Sequence, residues 1–102
     1  MKEVTIYQIN EKVENSHYKL FASLSRLEKM GLTFNPNDYK IVYKGTMDVE
    51  DAEDVYMRLQ YTKPQGYKGH SLSVSDLVQM DGKTYFCDSY GFKDVTKEMV
   101  NP

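Results

Sequence analysis

One cysteine, no tryptophan and three prolines are spread over the 102 residues. A single thiol, Cys87, excludes an internal disulfide. Its apolar and aromatic setting, TYFCDS, points to a buried structural cysteine rather than a nucleophile, which would need an adjacent base. No stretch approaches the roughly 18 apolar residues of a membrane span, and the opening MKEVTIYQIN has no apolar core of signal-peptide length. These features lead us to expect a soluble, cytoplasmic protein. Only two histidines are present. His17, Cys87 and His70 show no zinc-ligand spacing, so no metal and no cofactor is expected. Repeats and low-complexity stretches are lacking as well. Strong charge of either sign is also missing, since the formal net charge is −2. That balance disfavours a phosphate-tracking stripe and direct DNA binding, although RNA contact through the slightly basic residues 1–45 stays open.

The length suits one compact domain spanning residues 1–102, with a core of modest size. Apolar residues make up 40% of the chain, enough to fold. Nine Tyr against four Phe suggests half-exposed sheet faces or an interface, since tyrosine tolerates both.

Periodicity gives the elements. VTIYQI, 4–9, alternates as a strand, and NEKVENSH reads as a loop. Leu20, Leu24, Leu27 and Met30 have helical spacing, which predicts a helix over 23–30. Ser25 and Glu28 have capping-box spacing, and Gly31 is the stop; YKLF just before could be a short strand. FNPND, 34–38, is turn chemistry. YKIVYKG, 39–45, is a strand with Tyr39, Ile41 and Tyr43 on one face. Asp48 is the expected N-cap of VEDAEDVYMRLQ, whose Val49, Ala52, Tyr56 and Leu59 line one side. TKPQG is a loop. Leu72 and Val74 alternate with serines and lead into LVQM, then Asp81-Gly82, the preferred pair for a type I′ turn, then KTYFCDS. GFKDV adds an edge segment and TKEMVNP a tail. The fold expected is α+β: an antiparallel sheet of four to five strands with two helices packed on one face.

The stretch 68–92, KGHSLSVSDLVQMDGKTYFCDSYGF, poses the functional question. A hydrolytic triad needs nucleophile, base and carboxylate to converge. His70, Ser71 and Ser73 are too close along an extended chain to converge with each other. Asp76 and Asp88 fall five and six residues from the turn and are placed to face each other across the hairpin, where they could hold a metal or share a proton. A scaffold role is favoured, with Ser and Asp satisfying local backbone donors and His70 bonding a loop carbonyl. A small metal-dependent RNA-cleaving enzyme using His70, Asp76 and Asp88 is the alternative.

The same stretch resembles the YodL-like domain of conjugative-element and phage proteins, whose pattern is G-H-S-(L/M)-S-V-S-D followed after a hairpin by D-S-x-G-F. Gly69, His70, Ser71, Leu72, Ser73, Val74, Ser75 and Asp76 match, as do Asp88, Ser89, Gly91 and Phe92. The turn after Met80 is shorter than the pattern's. The resemblance covers most of the chain and implies a mobile-element origin without implying chemistry. In size and domain the chain is also similar to small type II-A anti-CRISPR proteins. That likeness implies a non-enzymatic inhibitor whose partner is a Cas9-type effector nuclease of the bacterial host, acting on guide RNA loading or a later activation step, in competition with guide RNA.

Five carboxylates crowd DVEDAEDV, 48–55. The helix macrodipole accounts for Asp48, Glu50 and Asp51. It accounts less well for Glu53 and Asp54, which with Glu50 form a face suited to a basic partner surface, with Tyr56 and Tyr61 as anchors; the partner contacts expected are Asp48, Glu50, Asp51, Glu53, Asp54 and Tyr56.

Overall fold

The computed structural model describes residues 1–99. Its first strand, β1 (Lys2–Ile9), is flanked on both sides. The sheet order is β2-β1-β3-β4-β5, antiparallel throughout, with β2 at Tyr39–Met47, β3 at Leu77–Met80, β4 at Lys83–Cys87 and β5 at Phe92–Asp94. The interior position of β1 explains why Val4, Thr5, Ile6, Gln8 and Ile9 are all buried: neighbours on both edges cover most of the strand, and Glu3 near its start is the residue left exposed. The α+β class and the antiparallel sheet stand as expected, with five strands.

Among the described residues four short α-helices and one 3-10 turn (Pro36–Asp38) decorate the sheet: α1 (Ser16–Lys19), α2 (Leu24–Lys29), α3 (Ala52–Tyr61) and α4 (Thr96–Met99). The covering elements divide between the two faces rather than gathering on one. Ala52, Val55 and Leu59 of α3 pack with Val4, Ile6, Val42, Val78 and Met80. On the opposite face Leu77 and Phe86 are covered by Leu24 of α2, Phe34, Tyr39, Val95 and Met99. Alternation along β1 and β3 produces this split, because Ile6 and Val78 point one way and Tyr7 and Leu77 the other.

Local differences from the sequence reading have identifiable causes. Residues 10–17 are not all loop, because Ser16 starts α1, and YKLF forms no strand. Asn15 and Phe21 bracket that turn of helix at φ 62° and 64°. The N-cap of α2 is Ser23, whose hydroxyl accepts from Arg26 N–H, not Ser25. Gly31 does end α2: at φ 73° it closes a Schellman turn in which Leu32 N–H bonds Leu27 C=O. Tyr39, Ile41 and Tyr43 do not share a face. Register slips between Ile6↔Tyr43 and Tyr7↔Ile41, leaving Val42 without an opposite residue, so Val42 and Tyr43 are both buried and Ile41 is exposed. Asp51, not Asp48, caps α3. The helix phase is therefore set by Ala52, Val55 and Leu59, with Val55 fully buried and Tyr56 only half-buried. Leu72 and Val74 lie in a long loop before β3, not in a strand. Asp81 and Gly82, at φ 54° and 74°, form the expected type I′ turn. The tail begins with α4, and 100–102 lie outside the described residues.

Candidate functional site

The loop after α3 has little regular structure of its own, yet it is held by one side chain from the middle of the sheet. Gln8 follows Val4 and Ile6 on the inward face of β1 and is 2% exposed. Its Oε1 accepts from His70 N–H at 3.2 Å, and its amide nitrogen donates to His70 C=O at 2.8 Å and to Asp76 Oδ2 at 3.0 Å, with Tyr67 Oη at 3.3 Å. Gly69 is required by this clasp. A Cβ there would collide with the Gln8 carboxamide and touch Val42 Cγ1 at 3.0 Å. The Gly-His pair of the motif thus lets the loop backbone lie directly on the glutamine.

Asp76 closes the loop from the other end. Oδ2 also accepts from Ser73 N–H at 2.8 Å, while the Asp76 backbone bonds Cys87 N–H and Ser73 C=O. Ser75, buried at φ 87°, accepts Phe21 N–H on its hydroxyl and Tyr39 O–H on its carbonyl. The serines serve backbone geometry. Ser73 donates its hydroxyl to Ser71 C=O, and Ser71 is exposed.

Of the sequence-predicted catalytic set, only His70 and Asp76 come together, with Nδ1 and Oδ2 4.0 Å apart. His70 Nδ1 also lies 2.8 Å from Ser71 C=O, which places its proton on Nδ1 and satisfies the expected loop-carbonyl bond. His70 Nε2 and Asp76 Oδ1 are the buried side-chain polar atoms without a partner among the described residues. The ring packs against Phe21 at 5.2 Å. Asp88 does not join Asp76. Its Oδ1 accepts from Leu24 N–H at 3.3 Å and Ser89 N–H at 2.9 Å, tying the start of α2 to the turn that ends at Gly91, φ 74°. Asp88-Ser89-x-Gly91 is therefore a turn anchor leading into Phe92. Among the described residues no three His, Cys, Asp or Glu side chains gather to hold a metal ion.

Burial sets the electrostatics. It pushes the Asp76 carboxyl up to about 7, against the opposing hydrogen bonds from Ser73 and Gln8. The Cys87 thiol is pushed up to about 11, first by burial and then by Asp76 and Asp88, which keeps it protonated and unreactive. Burial and then Asp76 raise the Tyr67 hydroxyl to about 12, and Tyr39 is raised by burial, Asp76 and Asp38. Gln8 and Tyr67 escaped the sequence reading. The available signal was a glutamine at an apolar phase of an otherwise hydrophobic strand face.

The acidic segment is open to solvent at Asp48, Glu50, Asp51 and Glu53. Two of its members have structural duties. Asp51 Oδ1 accepts Asp54 N–H, and Asp54 Oδ2 accepts Glu50 N–H, a reciprocal cap at the start of α3. Tyr61 projects into solvent at 81% exposure, while Tyr56 leans edge-on against Phe92.

These features define a small α+β domain whose polar motif is spent on fastening its own loops. The sequence profile of the YodL-like domain matches residues 3–97, and the chain belongs to that family. No curated protein and no solved structure gives a match. No helix among the described residues is long and apolar enough to cross a membrane.

Proposed function

We propose that this protein is a non-enzymatic anti-CRISPR inhibitor of mobile-element origin. It binds a Cas9-type nuclease in the host cytoplasm and interferes with guide RNA loading or a later activation step. The observation carrying this reading is the exposed carboxylate face at the start of α3, which has no internal partners at Asp48 or at the Glu50 and Glu53 side chains among the described residues. The effector channel that receives guide RNA is strongly positive, and an acidic protrusion is steered towards it. The nuclease as partner comes from the likeness in size and domain to small type II-A anti-CRISPR proteins. Consistent with a binding role, His70, Ser73, Asp76 and Asp88 are all engaged internally.

Purified protein is expected to bind guide-free effector in preference to guide-loaded effector. Triple reversal, Asp48→Lys, Glu50→Lys and Glu53→Lys, avoids the capping pair Asp51 and Asp54. It should weaken inhibition at least about tenfold, through loss of steering and contact, while the unfolding midpoint changes little. Undiminished inhibition by this variant would remove the acidic face from the mechanism.

RNA cleavage is a second reading, favoured only by the approach of His70 to Asp76. Guide RNA incubated with excess protein and divalent metal is expected to remain intact; shortened RNA would install the enzyme instead.

A further inference from the structure

A valley runs between α3 and the turn entering β5. Glu53 and Met57 form one wall, Asp88, Ser89 and Gly91 the other, and Tyr56, Val74 and Phe92 lie between them around a space of about 340 Å³. Past Phe92 and Glu53 it opens into a second hollow of about 400 Å³ over Met80 and Tyr85, rimmed by Glu50, Asp51 and Asp81. The floor is largely aromatic, with Tyr56 and Phe92 edge-on at 6.4 Å. The rim is acidic. Lys2 pairs with Asp81 at 2.8 Å, but among the described residues no lysine or arginine pairs with Glu50, Asp51, Glu53 or Asp88.

We infer that this valley is the seat of an arginine side chain carried by a basic segment of the partner protein. Apolar floor and anionic walls call for a cation with a flat face and an aliphatic stem. A guanidinium stacks on aromatic rings and donates in-plane to carboxylates on either side, which an ammonium does not do. A phosphate or nucleic acid is disfavoured by the sign of the rim. Phe92 is shared by both hollows, so the stem crosses it and the neighbouring residue of the segment occupies the second one. Asp88 thereby gains a second role: Oδ1 anchors the α2 start, and its negative charge faces the valley. The inference rests on the inhibitor reading for the partner's identity, and it names which surface is used and the chemistry of what enters.

The test is an NMR titration of isotopically labelled protein with a short arginine-rich peptide, a lysine-rich peptide of equal length and a glutamate-rich peptide. Saturable shifts are expected at Glu53, Tyr56, Met57 and Ser89 through Phe92. The arginine peptide should bind several-fold tighter than the lysine peptide, and the glutamate peptide should leave the spectrum unchanged. Glu53→Gln, at an exposed position that leaves the fold intact, should lower arginine-peptide affinity about tenfold, the effect of losing one charge-assisted hydrogen bond. Absence of saturable shifts, shifts confined to another face, or equal affinity for the two basic peptides would overturn the assignment. The nuclease assay separates the two claims. Full inhibition by Glu53→Gln sinks the valley as the partner's seat and spares the inhibitor reading. Peptide binding by a wild-type protein that inhibits no nuclease sinks the inhibitor reading and spares the valley's arginine chemistry.

Discussion

Gln8→Leu will cost the protein about 2–4 kcal/mol of stability, a large share of the roughly 5–15 kcal/mol that holds a domain of this size. The substitution preserves volume, so no cavity is made. What it removes is the clasp: His70 N–H loses its partner, His70 C=O keeps only the Tyr67 hydroxyl at 2.8 Å, and Asp76 keeps only Ser73 N–H on Oδ2. Each buried group left unsatisfied costs about 1–3 kcal/mol. The measurement is urea unfolding of the wild-type and Leu proteins, read as a lower midpoint at unchanged slope. A loss below about 1 kcal/mol would mean that the loop is held by other contacts and that the motif's Gly-His pair is not there to receive the glutamine. Inhibition should survive wherever the variant stays folded, because Gln8 lies beneath the surface.

The second large effect is a pH dependence centred on Asp76. Its carboxyl sits at about 7 in the folded protein, against 3.8 for an unhindered aspartate. The folded state therefore holds its proton more tightly than the unfolded chain. Below about pH 4 both states are protonated and the group's contribution is fully present. As pH rises towards about 7 the unfolded chain ionises first, and stability falls by up to about 4 kcal/mol. Above about 7 both states are ionised and the profile levels off. The groups facing Asp76, namely His70, Tyr67, Tyr39 and Cys87, belong to the same surroundings. Asp76→Asn isolates the carboxylate: an amide oxygen can still accept from Gln8 and Ser73, but it does not ionise. Urea midpoints at about pH 5 and about pH 8 should differ clearly in the wild type and much less in the Asn protein. Parallel profiles for the two proteins would show that Asp76 titrates as an ordinary aspartate and that its burial carries no such penalty.

The two effects share one cause. A polar cluster centred on the buried Gln8 and Asp76, beneath the 67–76 loop, has strict requirements, because those two side chains have no water to fall back on. This explains why a loop with so little regular structure can be held in one arrangement. The surface proposed to meet a partner makes the opposite use of polarity. Glu50, Glu53 and Asp88 are left without cationic partners among the described residues, and that is what makes them available to another molecule.

Much of the fold was legible from local signals. The alternation of VTIYQI, Gly31 after a helical run, and Asp81-Gly82 between two apolar segments each specify backbone geometry through short-range sterics and hydrogen bonding. All three appear where expected. The motif residues were recognisable too, and their scaffold reading follows from serine and aspartate chemistry. Other features had no local signature. The bulge at Val42 arises from pairing with β1, so the side-chain alternation of β2 could not be counted forward from Tyr39. Asp51 replaced Asp48 as the cap because burial of Ala52, Val55 and Leu59 chose the helix phase. Asp88 turned from Asp76 to the start of α2, a partner 64 residues away. By itself the sequence determined the main strands, the two longer helices and the turns at Gly31 and Asp81-Gly82, since those depend on neighbours along the chain. Tertiary structure alone decided which faces α3 and α2 cover, that Gln8 would meet the Gly69–Asp76 loop, and that an acidic wall would stand over Phe92. Those outcomes depend on contacts between segments far apart in the chain, and no short-range preference encodes them.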